Sequence, residues 1–105
     1  MKRHNPPHLW LLIVQPDASR GFDRLTRNQK ATVFRQLRVL LNADDPYSSP
    51  FVEMLKEKKF ERIRKFRAGD YRVFFSVEPV PVIHLKYTYK GTLFLLYIRD
   101  RKEAY

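Results

Sequence analysis

Residues 60–78, FERIRKFRAGDYRVFFSVE, decide how this chain folds. From Tyr71 to Glu78 the pattern has a period of two. Tyr71, Val73, Phe75 and Val77 fall on one face, and Arg72, Phe74, Ser76 and Glu78 on the other. That alternation predicts a strand with one face toward a core. Ala68-Gly69-Asp70 supplies the residues of a tight turn. Upstream, the apolar residues Phe60, Ile63 and Phe66 fit neither the helical nor the strand period, so 60–67 is expected to be a strand interrupted by a β-bulge. The stretch is also unusually basic: residues 56–72 hold eight Lys and Arg against three acids.

Toward the C-terminus, Pro79 and Pro81 break the chain. Val82–Tyr89 and Leu93–Arg99 then flank Lys90-Gly91 and read as the two strands of a hairpin. His84 is expected at an open face or edge of it, with no catalytic role. Toward the N-terminus, residues 51–59 are ambiguous and accommodate one helical turn. Residues 42–50 (NADDPYSSP) form a loop by composition. Thr26-Arg27-Asn28-Gln29 matches a capping box and opens a helix to about Asn42. Its stripe of Val33, Phe34, Leu37, Leu40 and Leu41 is wide enough to pack on a sheet, while Arg27, Lys30, Arg35 and Arg38 form a solvated face. A shorter helix, capped by Asp17, carries Ala18, Phe22 and Leu25 on one side. Before it, Leu9–Val14 is a continuous apolar run ended by Pro16, which reads as a strand buried on both faces.

The expected order is therefore β-α-α-β-β-β-β. The fold class is α+β, with two N-terminal helices on one face of a four- to five-stranded antiparallel sheet whose other face stays open. At 105 residues the chain is expected to be one domain, 1–105, because two separate cores would each be too small. An apolar fraction of 44% supports a real core and excludes a disordered tail. The absence of cysteine excludes disulfides, thiolate catalysis and sulfur-based zinc sites, and suits a reducing cytoplasm, the expected location. His4, His8 and His84 are too scattered to suggest a metal site, and neither metal nor cofactor is expected. The apolar run after the basic N-terminus is too short for an export signal, and none approaches the roughly 20 residues that span a membrane. With 21 basic residues against 11 acids and a formal charge of +10, the surface favours RNA, DNA, anionic lipid or an acidic protein.

Two stretches carry a resemblance. Lys65-Phe66-Arg67-Ala68-Gly69-Asp70-Tyr71-Arg72-Val73 resembles the R-x-R-x-G-D-Y-R-V hairpin of RelE/ParE-type toxins. Arg99-Asp100-Arg101-Lys102-Glu103-Ala104-Tyr105 is similar to their closing H-R-K-E-x-Y element. With the helices upstream in the same order, the likeness covers nearly the whole chain. The RelE branch implies a messenger-RNA endonuclease acting at the ribosome. The ParE branch implies a non-catalytic gyrase inhibitor, and a member that only binds RNA is a further alternative.

In the RelE-type reaction the ribose 2′-hydroxyl attacks the adjacent phosphate without a metal. Fixed cations would hold the charge of the transition state, and a lysine crowded by cations can act as a base. Carried over by position, the resemblance implies catalytic roles for Lys65, Arg67, Arg72, Arg99 and Tyr105. RNA contacts are implied for Lys58, Lys59, Arg62, Arg64, Arg101 and Lys102. The implied partners are a cognate antitoxin with an acidic, amphipathic segment, the ribosome and messenger RNA, with operator DNA engaged only through the antitoxin complex and no membrane. Three positions depart from the pattern. Asp100 stands where many members have histidine, Ile63 stands where a lysine is found, and the Arg72–Arg99 interval is long, as if a hairpin had been added.

Overall fold

In the computed structural model, the structure describes residues 7–55 and 62–101. The basic residues Lys58, Lys59 and Lys102 and the terminal Tyr105 lie outside the described residues, as do the start of the expected strand at Phe60 and the end of the possible helical turn.

The elements run β1 (Trp10–Val14), α1 (Pro16–Asp23), α2 (Arg27–Leu41), a 3-10 turn (Pro46–Ser48), β2 (Val52–Met54), β3 (Ile63–Ala68), β4 (Tyr71–Glu78), β5 (Val82–His84), β6 (Tyr87–Tyr89) and β7 (Gly91–Asp100). Five strands form one sheet in the order β1-β7-β4-β3-β2, and β5-β6 form a separate pair. The domain is α+β with its two helices packed against this sheet, as expected. The sheet is mixed, however, because β1 pairs with β7 in parallel. A parallel partner is possible here because α1, α2 and the intervening strands all lie between them in sequence and supply the crossover.

The core explains the elements. Val33, Leu37, Leu40 and Leu41 of α2 pack with Phe66, Val73, Phe75, Leu93, Leu95 and Ile98 of the sheet. Phe66 and Phe75 are fully buried, each worth about 1.5–3 kcal/mol of transfer free energy. Thr26 and Gln29 form the reciprocal capping box, satisfying two amides of the first turn of α2. Trp10 at the start of β1 is buried, and its indole N–H donates to the Ala43 carbonyl at 2.7 Å.

Several expectations fail for local physical reasons. β1 is an edge strand, and its last residues, Ile13 and Val14, are exposed rather than buried on both faces. A continuous apolar run does not tell a central strand from an edge whose far end is uncovered. Phe34 is 53% exposed; it meets Phe22 edge-on at 5.0 Å at the margin of the α2 stripe. Gln15, not Asp17, is the N-cap of α1, with Pro16 in the first turn. Residues 52–54 are a strand because they continue the sheet beside β3. Among the described residues of the strand expected over 60–67 no bulge occurs, since Ile63–Ala68 run in unbroken register with β4, whereas the β4–β7 register shifts between Phe74 and Phe75. The 82–89 segment is not one strand of a hairpin with 93–99. It folds on itself through Leu85-Lys86, and β7 pairs with β1 and β4.

Candidate functional site

The helices cover the face of the sheet that holds Tyr71, Val73, Phe75 and Val77. The opposite face carries the basic residues, and the strand register fixes who meets whom. Arg67 pairs with Arg72 across β3–β4, and Arg72 pairs with Arg99 across β4–β7. The three arginines thus form one cross-strand row. The next row joins Lys65, Phe74 and Tyr97. Directly paired residues share a face, with Cβ atoms about 4.5–5.5 Å apart, so the β5–β6 hairpin does not separate Arg99 from Arg72. It projects from the other end of β4 and β7 and leaves their pairing intact.

The bulge in β7 makes this row possible. Phe74 faces Tyr97 while Phe75 faces Leu95, which leaves Leu96 as the extra residue. A bulge residue shifts the alternation by one. Leu96 and Tyr97 therefore both belong to the open face, and Arg99 follows Tyr97 there. A regular strand in phase with Leu93 and Leu95 would have sent Arg99 to the helix side.

The side chains show how the arginines are held. Arg99 donates two hydrogen bonds to Asp17, at 3.1 and 2.8 Å, and its guanidinium lies over the Tyr97 ring at 4.7 Å. Tyr97 in turn stacks on Phe74 with ring centroids 4.5 Å apart. A forked guanidinium–carboxylate pair fixes orientation as well as charge. The hydrogen bond from Arg99 holds the Asp17 carboxyl below its ordinary range; desolvation opposes this, and the charges of Arg99, Arg20 and Arg24 add to it. Arg72 is 7% exposed and donates to the Tyr71 carbonyl at 3.4 Å. Arg67 is exposed and reaches the Gly69 carbonyl at 3.4 Å. Lys65 approaches Glu53 at 3.9 Å, a long ion pair.

Among the other expected RNA contacts, Arg62 and Arg101 are exposed. Arg64 belongs to the helix side, where its guanidinium covers the Tyr47 ring at 4.5 Å, so it does not stand in for the lysine that the resemblance implies at position 63. Ile63 itself shares the open face with Ser76, its partner on β4. Asp100 pairs with Tyr71. Thus Lys65, Arg67, Arg72 and Arg99 are brought onto one face, Arg64 is not, and Tyr105 is outside the described residues.

Sequence reasoning missed Asp17 and Tyr97. Asp17 lies 82 residues from Arg99, and no local pattern announces such a contact. Tyr97 was hidden by the bulge, because its alternation is out of phase with the first half of its strand. Phe74 was legible as a neighbour of Arg72 on the same face; its aromatic partner was not.

No protein-family model and no curated protein matches the chain.

Proposed function

We propose that this chain is an RNA endonuclease of the RelE type, acting on messenger RNA at the ribosome, with the Arg67–Arg72–Arg99 row as its phosphate-binding centre. The observation that carries the reading is that row, lying beside Lys65 and the Phe74–Tyr97 stack on the open face. Three cations in register concentrate positive potential where a phosphate would gain negative charge during 2′-hydroxyl attack. Lys65 lies one row away, 3.9 Å from Glu53, and on this reading it would take the proton of the 2′-hydroxyl. The aromatic stack backs the cations: Phe74 is buried beneath Tyr97, whose ring lies under the Arg99 guanidinium and helps to hold it in place. Asp17 positions Arg99 and tempers its charge. Tyr105 and Lys102 complete the set that the resemblance implies. An antitoxin with an acidic, amphipathic segment would neutralise the same face, with association that slows as salt screens the attraction.

A second reading has its own observation. The low exposure of Arg72 and the forked pairing of Arg99 with Asp17 also suit arginines that stiffen the sheet. On that reading the fold binds RNA or gyrase and cleaves nothing. Purified protein added to translating ribosomes separates the two. Cleavage with a 2′,3′-cyclic phosphate at the new end supports the enzyme. Intact message under conditions where the protein still arrests growth supports the binding reading.

A further inference from the structure

A trough of about 830 Å³ lies beyond the arginine row where β3 and β4 part, lined from the open face by Ile63, Ser76, Phe94 and Leu96 and from the helix side by Tyr47 and Val77, among others. Its origin is visible in the strand pairing. The β3–β4 ladder ends at Ile63–Ser76. One step further, the Tyr47 hydroxyl stands between the strands, accepting from the Val77 amide at 2.8 Å and donating to the Arg62 carbonyl. Tyr47 thus substitutes for a ladder bond and widens the gap between β3 and β4. On the other side, the bulge adds Leu96 to the floor beside Phe94.

We infer that this trough holds an unpaired nucleobase of the RNA strand whose phosphate occupies the arginine row. The inference rests on the RNA-cleaving reading and adds a base-binding subsite to it. Three observations favour this occupant. The open-face lining of the trough continues from the cationic rows: Ser76 is four residues along β4 from Arg72, about 13 Å at strand rise, a distance that a few nucleotides cover. Its lining is mixed, with apolar surfaces from Ile63, Phe94 and Leu96, a hydroxyl from Ser76, and opposite charges from Arg62 and Glu78 at its rim. A base has apolar faces and polar edges and needs that mixture. The groove on the helix side, lined by Leu12, Val14, Phe22, Phe34 and Leu37 among others, is smaller at about 220 Å³ and almost wholly apolar, which does not suit a base.

The test uses the full chain and short 2′-O-methyl RNA oligonucleotides, which bind but resist 2′-hydroxyl attack. Removing one base at a time, with affinity read by fluorescence anisotropy, should expose a single position whose loss weakens binding about 5- to 150-fold, the equivalent of 1–3 kcal/mol per stacked base. Phe94→Ala should flatten that profile. Val80→Glu, at an exposed wall position where folding is not at stake, should flatten it too. Arg67→Ala should instead weaken every oligonucleotide alike and reduce the salt slope. A 5-iodouridine at the sensitive position should crosslink to Phe94 or Tyr47. A flat profile in the wild type, with affinity still dependent on Arg67, overturns the base subsite and leaves the RNA reading standing. Affinity indifferent to both salt and Arg67 overturns both. If Val80→Glu leaves RNA binding intact and abolishes binding of an acidic peptide partner, the trough is a protein-docking surface and the inference fails.

Discussion

The β3–β4 hairpin turns through Gly69-Asp70, and the β5–β6 hairpin through Leu85-Lys86. Both loops have two residues. In the first, Gly69 takes φ +64 and Asp70 does not, the II′ arrangement that glycine serves without strain. In the second, Leu85 and Lys86 both take positive φ, at 48 and 75, the I′ arrangement without its usual Asn or Gly. A left-handed conformation costs a side-chain-bearing residue about 1–2 kcal/mol. The first hairpin is bedded in the sheet and carries Lys65, Arg67 and Arg72. The second pairs only with itself, and Ile83 and Leu85 are 74% and 75% exposed. The contrast shows that local turn chemistry and global importance are separate matters. The core and the arginines depend on the first hairpin, whereas the second tolerates strain because its strands pair with each other across a short, fixed register.

The sharpest challenge to this contrast is a pair of truncations. Phe66→Ala in β3 should lower unfolding free energy by about 3–5 kcal/mol, while Ile83→Ala in β5 should stay within roughly 0.5 kcal/mol. Denaturant melts measure both, and similar losses would break the comparison. Next comes the proposed chemistry. If the chain is the endonuclease proposed above, Arg72→Ala should slow cleavage of ribosome-bound message by about 10²–10³, against little change for Leu85→Ala, with cyclic-phosphate ends counted as product. Smaller still are the turn swaps. Gly69→Ala should destabilise by about 1–2 kcal/mol. Lys86→Gly should stabilise by up to about 1 kcal/mol, because the relief of positive φ exceeds the added freedom of the unfolded chain. Thermal melts that move both in the same direction would contradict the two turn assignments.

The smallest effect concerns Asp17. Its carboxyl is held below the ordinary value of 3.8 by Arg99. A depressed folded value means stability that is present above that ordinary value and lost as pH falls through the folded one. Between about pH 5 and about pH 3, wild type should therefore lose more stability than Asp17→Asn. Parallel losses in the two proteins would show that the Arg99 pairing adds nothing to the end of β7.

The legible parts of the fold were those written in adjacent residues. The capping box at Thr26–Gln29, the turn at Gly69-Asp70 and the alternation of Tyr71–Glu78 each involve neighbours in sequence, and each stands as expected. The placing of Arg72 on the face away from Tyr71, Val73, Phe75 and Val77 followed from that alternation, whereas Lys65 and Arg67 were singled out by the resemblance. What was not legible depended on distant partners. The parallel pairing of β1 with β7 has no local signal, nor does the exposure of Phe34, which a stripe of the right period includes. Leu85-Lys86 lacks the glycine or asparagine that would have marked a turn, so 82–89 passed for one strand. The bulge was sought over 60–67 because the apolar spacing there was irregular. The bulge among the described residues lies in β7, where an apolar run, Leu93–Ile98, conceals any change of phase.

The departure and return of the β5–β6 segment have a practical consequence. Glu78 and Thr92 are register partners, so the chain leaves the sheet and re-enters it at adjacent points, with Gly91 seated closely against Trp10 and Pro79. Whatever lies between those points does not set the spacing of the strands on either side. The exposed Leu85-Lys86 tip of this segment therefore constitutes a natural splice port. An affinity tag, a fluorophore-bearing loop or another small module with closely spaced ends can be spliced there, and the closure entropy rises only slowly with the length of the insert.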